Sequence, residues 1–519
     1  MSAAGAQHSG AEGHSSTILT GSMLLLAGAV LAVSNFMVVL DTTIANVSVA
    51  HIAGGLGISS SEGTWVITSY AVAEAICVPL TGWLSRRLGT VRLFAGGMLG
   101  FGIFSFLCGT ATSLTMLVAF RIGQGICGGP LMALSQTLLL RVFPKDKHAM
   151  TMGIWAMTTL TAPIFGPILG GTISDSWGWH WIFFINVPVA AICAFTAWTV
   201  LRKAETEKVN EPVDGFGLVL LVLWVGALQL MLDLGREHDW FSADIIVQLA
   251  IIAIVGFASF LIWELTHDRP VVDLRPFRHR GFTVAVIALV FAYGTFFASL
   301  VVIPQWLQGA MGYTATWAGY ATAFNGVAAV LMAPIVAKRM TEVDPRRLVF
   351  IGVLWLGGTS LLRVFWWNSG ADFWTLALPQ LIQGAGMPFF FVPLTTIALG
   401  AVDEEETASA AGVMNFLRTM AGAVAVAIST TLWYDGAQEK RDGLSGVLHG
   451  TQAAIDGLMA KGYSLEQARQ IISQMVDKES VALATGQTFV WAAFVFAAAA
   501  SIIWLAPRPT RAVDTSSVH

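Results

Sequence analysis

Among the residues that carry charge inside long apolar runs, three could do chemistry: Asp41, within the stretch LDTTIANV from Leu40 to Val47, Glu74 and Arg121. A carboxylate facing low dielectric has its charged form disfavoured, so taking up and releasing a proton becomes a switch. Glu74 stands about eleven residues into its run, which at ~1.5 Å per residue puts it ~16 Å deep, where protons or a cationic substrate would relieve it. A buried arginine needs partners, and Asp41 and Glu74 are the candidate carboxylates for Arg121. Each residue also has a plainer reading. Asp41 could sit hydrated at a headgroup boundary or cap a helix, Glu74 could stay protonated and hydrogen-bonded, and Arg121 could snorkel. Gln124, Asn46 and Asn325 join Glu74 as the candidate substrate-binding set.

Two further stretches bear on conformational change. Gly82-Trp83-Leu84-Ser85-Arg86-Arg87-Leu88-Gly89-Thr90-Val91-Arg92 is expected as a tight basic loop, with Gly82 and Gly89 permitting the turn and Arg86 and Arg87 free to meet helix ends or carboxylates. In Ala162–Gly171 (APIFGPILGG), Pro163 and Pro167 interrupt the helical hydrogen-bond ladder, while Gly166 and Gly170 make a GxxxG face for close helix contact. Other patterns carry nothing. Gly123-x-Gly125-x-x-Gly128 matches a dinucleotide fingerprint, but no strand precedes it. The sequon at Asn46 falls inside an apolar run. The ten histidines form no metal-spaced pair, the four cysteines lie apart in apolar runs, and no nucleophile elbow appears. No enzyme, metal or cofactor is expected.

The elements that position these residues follow from composition. Of 519 residues, 55% are hydrophobic and 12% charged, with mean hydropathy +0.69. An average chain carries about 25% charged residues, so a soluble or disordered protein is excluded. The net charge of −4, with its basic residues dispersed, excludes a nucleic-acid partner. Apolar stretches long enough to cross a ~30 Å hydrocarbon core as helices recur throughout. Fourteen spans are expected near 19–48, 61–84, 91–111, 113–141, 148–174, 179–201, 216–234, 243–265, 281–308, 315–337, 347–367, 372–399, 406–434 and 486–506. Of the 28 Lys and Arg residues, nineteen fall in one set of alternating connections and the C-terminal tail, and the opposite short loops hold Arg236 alone. Five more lie in 435–485, and Arg121, Arg363 and Arg418 lie within spans. Positive charge stays inside, so both termini are expected to be cytoplasmic.

The chain also repeats itself. Pro79–Arg92 and Pro334–Arg347 match at an offset of 255, Gln124-Gly125 and Gln383-Gly384 at 259, and Thr64-Trp65 and Thr316-Trp317 at 252. Spans 1–6 thus pair with spans 9–14 in the same orientation, leaving spans 7 and 8 over. Parallel six-helix repeats with substrate at their interface are a transporter architecture. The expected division is residues 1–205, 206–275 and 276–519, with 435–485 outside the membrane. Within that segment Ser464 and Gln467 form a capping-box pattern, and Leu465, Ala468, Ile472, Met475 and Val476 recur at helical spacing. Such a helix could lie on the outer leaflet, gate a pathway, dock a partner or simply pack.

Together these residues resemble the fourteen-span EmrB-type drug:proton antiporters of the major facilitator superfamily, over essentially the whole chain. LDTTIANV is similar to that subfamily's first-helix motif, Gly82–Arg92 to the superfamily's loop signature, and Arg121-Ile-Gly-Gln-Gly to its fourth-helix motif. APIFGPILGG resembles the antiporter motif with Ala162 in place of a glycine. WHWIFFINVP, from Trp179 to Pro188, resembles the sixth-helix stretch, and Ser85 stands where the loop signature has an aspartate. The resemblance implies an all-α major facilitator fold, alternating access, and proton coupling through Asp41 and Arg121. It implies export of hydrophobic toxic compounds from a bacterial inner membrane, with an EmrA-type periplasmic adaptor and a TolC-type outer-membrane channel as partners. Export of one dedicated metabolite, such as a siderophore or fatty acid, and a mainly structural anchoring role for an adaptor complex are the alternatives.

Overall fold

The computed structural model describes residues 19, 21–63, 65–144, 147–209, 214–267, 270–340, 342–447 and 451–507. Thr64, Lys145, Arg269, Arg508, Arg511 and both chain termini, on which the repeat and orientation readings draw, lie outside them. The first half is built from α1 (Ser22–Leu56), α2 (Ser60–Gly63), α3 (Trp65–Cys77), α4 (Thr81–Leu88), α5 (Thr90–Gly109), α6 (Leu114–Val142), α7 (His148–Trp177), α8 (Trp181–Phe184) and α9 (Asn186–Val200). Two helices follow, α10 (Gly215–Leu234) and α11 (Asp244–Thr266). The second half comprises α12 (Arg280–Gly309), α13 (Ala315–Arg339), α14 (Pro345–Trp366), α15 (Phe373–Gly400), α16 (Thr407–Val447), α17 (Thr451–Ala460) and α18 (Leu465–Ile502).

No strand occurs among the described residues. Twelve helical segments there are long and apolar enough to cross a membrane, and α3 with α4, bent by 63°, makes a thirteenth. The break falls at Pro79, which lacks the N–H needed to continue the ladder. The fifth expected span is α7, whose 30 residues cover ~45 Å at the usual helical rise. It runs unbroken through Pro163 and Pro167, whose side chains lie outside the described ones.

Packing repeats between the halves. In the first, α1 lies on α7, α3 on α6, α5 on α6 and α5 on α9; in the second, α12 lies on α16, α13 on α15, α14 on α15 and α14 on α18. These are the same span pairs shifted by eight, as the internal repeat requires. Helices α10 and α11 pack chiefly on each other and reach the rest through α3 and α16. The halves meet where α7 lies against α13 and α15, and where α16 lies against α4 and α6.

Two expectations are corrected. The Gly82–Arg92 stretch is mostly helix, with only Gly89 left as a turn at φ +92°, because its leucines, tryptophan and arginines are adequate helix formers once Pro79 is passed. A side chain at Gly89 would also strike the Glu205 carboxylate, which accepts from the backbone N–H groups of Val91 (3.0 Å) and Arg92 (3.1 Å) at the start of α5. In the second case, the described residues of 435–485 are not a loop: most of them extend the helices on either side, with α17 between. Helix α16 continues through 41 residues and α18 through 38, about 61 and 57 Å, so both project well beyond a ~30 Å core. The two are tied by Arg441–Asp477 at 2.8 Å and by Trp433 Nε1 donating to Thr485 Oγ1 at 2.8 Å. The Ser464–Gln467 capping box is present and starts α18 itself.

Candidate functional site

Asp41 sits in the middle of α1 and is fully buried. Its Oδ2 accepts from Arg121 Nη1 on α6 at 2.7 Å. Its Oδ1 accepts from Asn186 Nδ2 at 2.6 Å and Gln124 Nε2 at 3.1 Å. Arg121 is equally buried: Nη1 also donates to Gln124 Oε1 at 2.8 Å, Nε donates to the Val66 carbonyl at 3.0 Å, and the guanidinium lies 4.1 Å from the Tyr70 ring. Asn186 further donates to Ser105 Oγ at 3.2 Å, which itself donates to the Phe183 carbonyl at 2.8 Å. Asp41 is therefore neither hydrated nor a helix cap, and Arg121 does not snorkel. This polar knot, held by α1, α3, α5, α6 and α9, sets a buried carboxylate against a buried guanidinium whose Nη2 has no hydrogen-bond partner among the described residues. Asn186 is the member that residue chemistry alone did not single out; its only signal was the sixth-helix stretch that contains it.

The candidate substrate set is not gathered into one place. Gln124 belongs to the knot around Asp41. Glu74, on α3, is half-buried, makes no hydrogen bond or ion pair among the described residues, and lies within electrostatic reach of Asp41, Arg121 and Arg418. Asn325 is buried in the second half, where Nδ2 donates to Gln383 Oε1 at 3.3 Å. Asn46 is exposed on α1 and takes no part in either network, because it falls on the opposite side of the helix from the buried Asp41.

The second half holds a counterpart knot with no carboxylate among the described residues. Arg363 on α14 is fully buried and donates through Nη2 to Gln380 Oε1 at 2.5 Å and to Gln383 Oε1, while its Nε and Nη1 find no hydrogen-bond partner there and the guanidinium lies by the Trp367 and Phe489 rings. Gln383 corresponds to Gln124 by the internal repeat, so the halves keep the amide and differ in the charge beside it.

The remaining motif residues lie at helix contacts. A Cβ on Gly166 would come within 2.3 Å of Thr43 Oγ1, and one on Gly170 within 2.9 Å of the Ile44 carbonyl, so both glycines of α7 let α1 approach. Gly82 packs against Ser409 of α16, and Arg86 Nη1 donates to Ser409 Oγ at 3.1 Å. Arg87 lies over the Trp83 ring at 5.3 Å. Ser85, standing where an acid is usual, bonds only to the Gly82 carbonyl at 2.8 Å among the described residues. A negative charge within electrostatic reach of Arg86 is that of Asp273, between α11 and α12. Burial alone would raise its carboxyl, but two side-chain hydrogen bonds from Arg275 (2.7 and 2.8 Å), with the charges of Arg275 and Arg86, hold it below the usual carboxylate range. His279, Asp403 and Glu406 also converge, but the two acids share Arg278 at 3.2 and 2.9 Å, as an ion-pair cluster would. Their sequence separation hid this grouping.

Residues 31–426 match the family model of the Major Facilitator Superfamily. The chain is 41% identical to Multidrug export protein EmrB of Escherichia coli K12 over 95% of its own length and 97% of that protein. It is 40% identical to Fatty acid resistance protein FarB of Neisseria gonorrhoeae, again over 95% and 97%. Among solved structures, the human organic anion transporter MFSD10 shares the fold, with a TM-score of 0.56 and 14% identity over 91% of this chain and 99% of that one. The chain belongs to the major facilitator superfamily, among its EmrB-type drug transporters.

Proposed function

We propose that the chain exports hydrophobic toxic compounds in exchange for protons, by alternating access of two six-helix halves, residues 1–205 and 276–519, with 206–275 at the periphery. The observation that carries this is the fully buried Asp41–Arg121 pair, with Gln124 and Asn186 completing the carboxylate's partners. Neutralising Asp41 releases Arg121 from its counter-ion, so a proton arriving at this site changes the forces holding α1 to α6. Similarity to a named multidrug exporter over 95% of the chain supports the same reading.

In this reading the face bearing Arg86 and Arg87 is cytoplasmic, with both termini, and α16–α18 project from the inner membrane into the periplasm. An EmrA-type adaptor, and through it a TolC-type channel, would meet the pump there. A narrower cargo, one fatty-acid-like metabolite, is favoured by the similarity to FarB. Dye efflux from cells and proteoliposomes, with and without a proton gradient, tests the proposal. Gradient-dependent export of several unrelated dyes supports it; transport of a single compound, without protection against dyes, supports the narrower cargo.

A further inference from the structure

We propose that Arg418 recognises the anionic headgroup of amphipathic weak acids, at the seam between the two halves. The proposal rests on the export reading above and names a cargo class for it.

Arg418 is eleven residues into α16, ~16 Å along the helix and so near the middle of the membrane. It is only 2% exposed. Its guanidinium lies 5.2 Å from the Tyr293 ring, 5.5 Å from Trp155 and 5.7 Å from Phe391, and it touches the Met132 sulfur. Nη1 has no hydrogen-bond partner, and no carboxylate pairs with the group among the described residues. A buried guanidinium in contact only with ring faces and a thioether, with the Glu74 carboxylate in electrostatic reach but not ion-paired to it, is poorly compensated, and in a membrane that is costly. Arg121 is held more fully, by a carboxylate at 2.7 Å, a backbone carbonyl and an amide, although its Nη2 also has no hydrogen-bond partner among the described residues.

The surroundings point to a ligand. Met132 and Trp155 come from α6 and α7 of the first half, and Tyr293, Phe391 and Arg418 from α12, α15 and α16 of the second. Trp155 is fixed by donating to Ser135 Oγ at 2.9 Å and stacks on Phe391 across the seam at 6.2 Å and 20°. A planar fork of donors suits a carboxylate, and flat aromatic walls suit an apolar chain. When the halves part, the fork and its walls open together. Arg363 also lacks a carboxylate, but it lies among helices of one half and its Nη2 already holds two amides. Glu74, within electrostatic reach of Arg418, would repel an anion and attract a cation. Charge discrimination is thereby divided, with cations drawn to Glu74 and anions to Arg418.

The test is equilibrium binding to the purified full-length protein in zwitterionic nanodiscs, using dodecanoate, its uncharged methyl ester and tetraphenylphosphonium. Wild type is expected to bind dodecanoate about tenfold or more tightly than the ester, a margin of ~1.4 kcal/mol or more. Arg418→Gln is expected to abolish that preference, Arg418→Lys to keep part of it, and neither to weaken binding of the cation. Equal binding of acid and ester by wild type overturns the proposal without any variant. A preference that survives Arg418→Gln overturns it too, as does parallel loss of anion and cation in both variants. Binding needs no proton gradient, so a protein that binds dodecanoate through Arg418 but exports nothing would refute the export reading alone.

Discussion

At the scale of residues, the first knot holds a carboxylate and the second, among the described residues, holds none, and that difference makes the strongest predictions. Asp41→Asn keeps the side chain's size and one of the two acceptor oxygens that Asn186 and Arg121 use, so insertion and folding should persist. Proton-driven efflux should be lost, because the knot around Arg121 then holds no carboxylate; wild-type efflux by this variant would remove Asp41 from the coupling role. Arg121 supplies both charge and directed donors, so Arg121→Ala should impair transport more than Arg121→Lys. Equal and mild losses would mean that the fork geometry is irrelevant. On the basic face, Asp273 has its carboxyl held low by Arg275 and Arg86, so its contribution to stability is present above the ordinary value of 3.8 and disappears as pH falls below it. Unfolding temperatures of wild type and Asp273→Asn should therefore differ at neutral pH and converge under acid. The charged residues of the site were legible in the sequence, since charge in an apolar run is conspicuous. Their pairing was not, because Asp41 and Arg121 are 80 residues apart and nothing in spacing favoured Asp41 over Glu74.

At the scale of elements, hydropathy locates where a membrane ends, which is not where a helix ends. The spans were visible as apolar runs, yet α16 and α18 continue through polar, helix-favouring residues that pack on each other once outside lipid. Close helix approach was half visible. GxxxG in α7 announced a contact, but the partner α1 could be known only in three dimensions. The same logic makes Gly384 vulnerable: a Cβ there would lie 2.0 Å from the Asn325 carbonyl, so α15 could not keep its approach to α13. Gly384→Ala should lower thermal stability by about 1–3 kcal/mol through overpacking against backbone that cannot yield. Gly358, where nothing lies near a built Cβ, should tolerate the same change. Matching losses at both positions would show that the close approach to Asn325 does not set the effect, since helix propensity alone favours Ala over Gly at each.

At the scale of the whole molecule, alternating access requires the halves to separate at contacts that the structure shows closed. On the face bearing Arg86, α16 presses on α4: Gly412 lies so close that a built Cβ would be 3.5 Å from the Thr81 Cβ. That separation falls within the Cβ range of ordinary disulfides. Two neighbouring contacts cross the same seam, Arg86 to Ser409 at 3.1 Å and Asn415 to Gln136 at 3.0 Å. A Thr81→Cys/Gly412→Cys pair, in a background with Cys77→Ser to prevent competing exchange, should oxidise readily and pin the halves together. Efflux should then stop on oxidation and recover with a reductant, while either single cysteine leaves it unaffected by oxidant. The outcome separates two kinds of machine. If the cross-linked protein still exports, cargo passes without this face opening, and the two-half rocking motion is wrong even with Asp41 and Arg418 acting as argued. If it stops and recovers, the seam that carries Arg418 is a moving part, and the aromatic cage around it must open and close with each cycle.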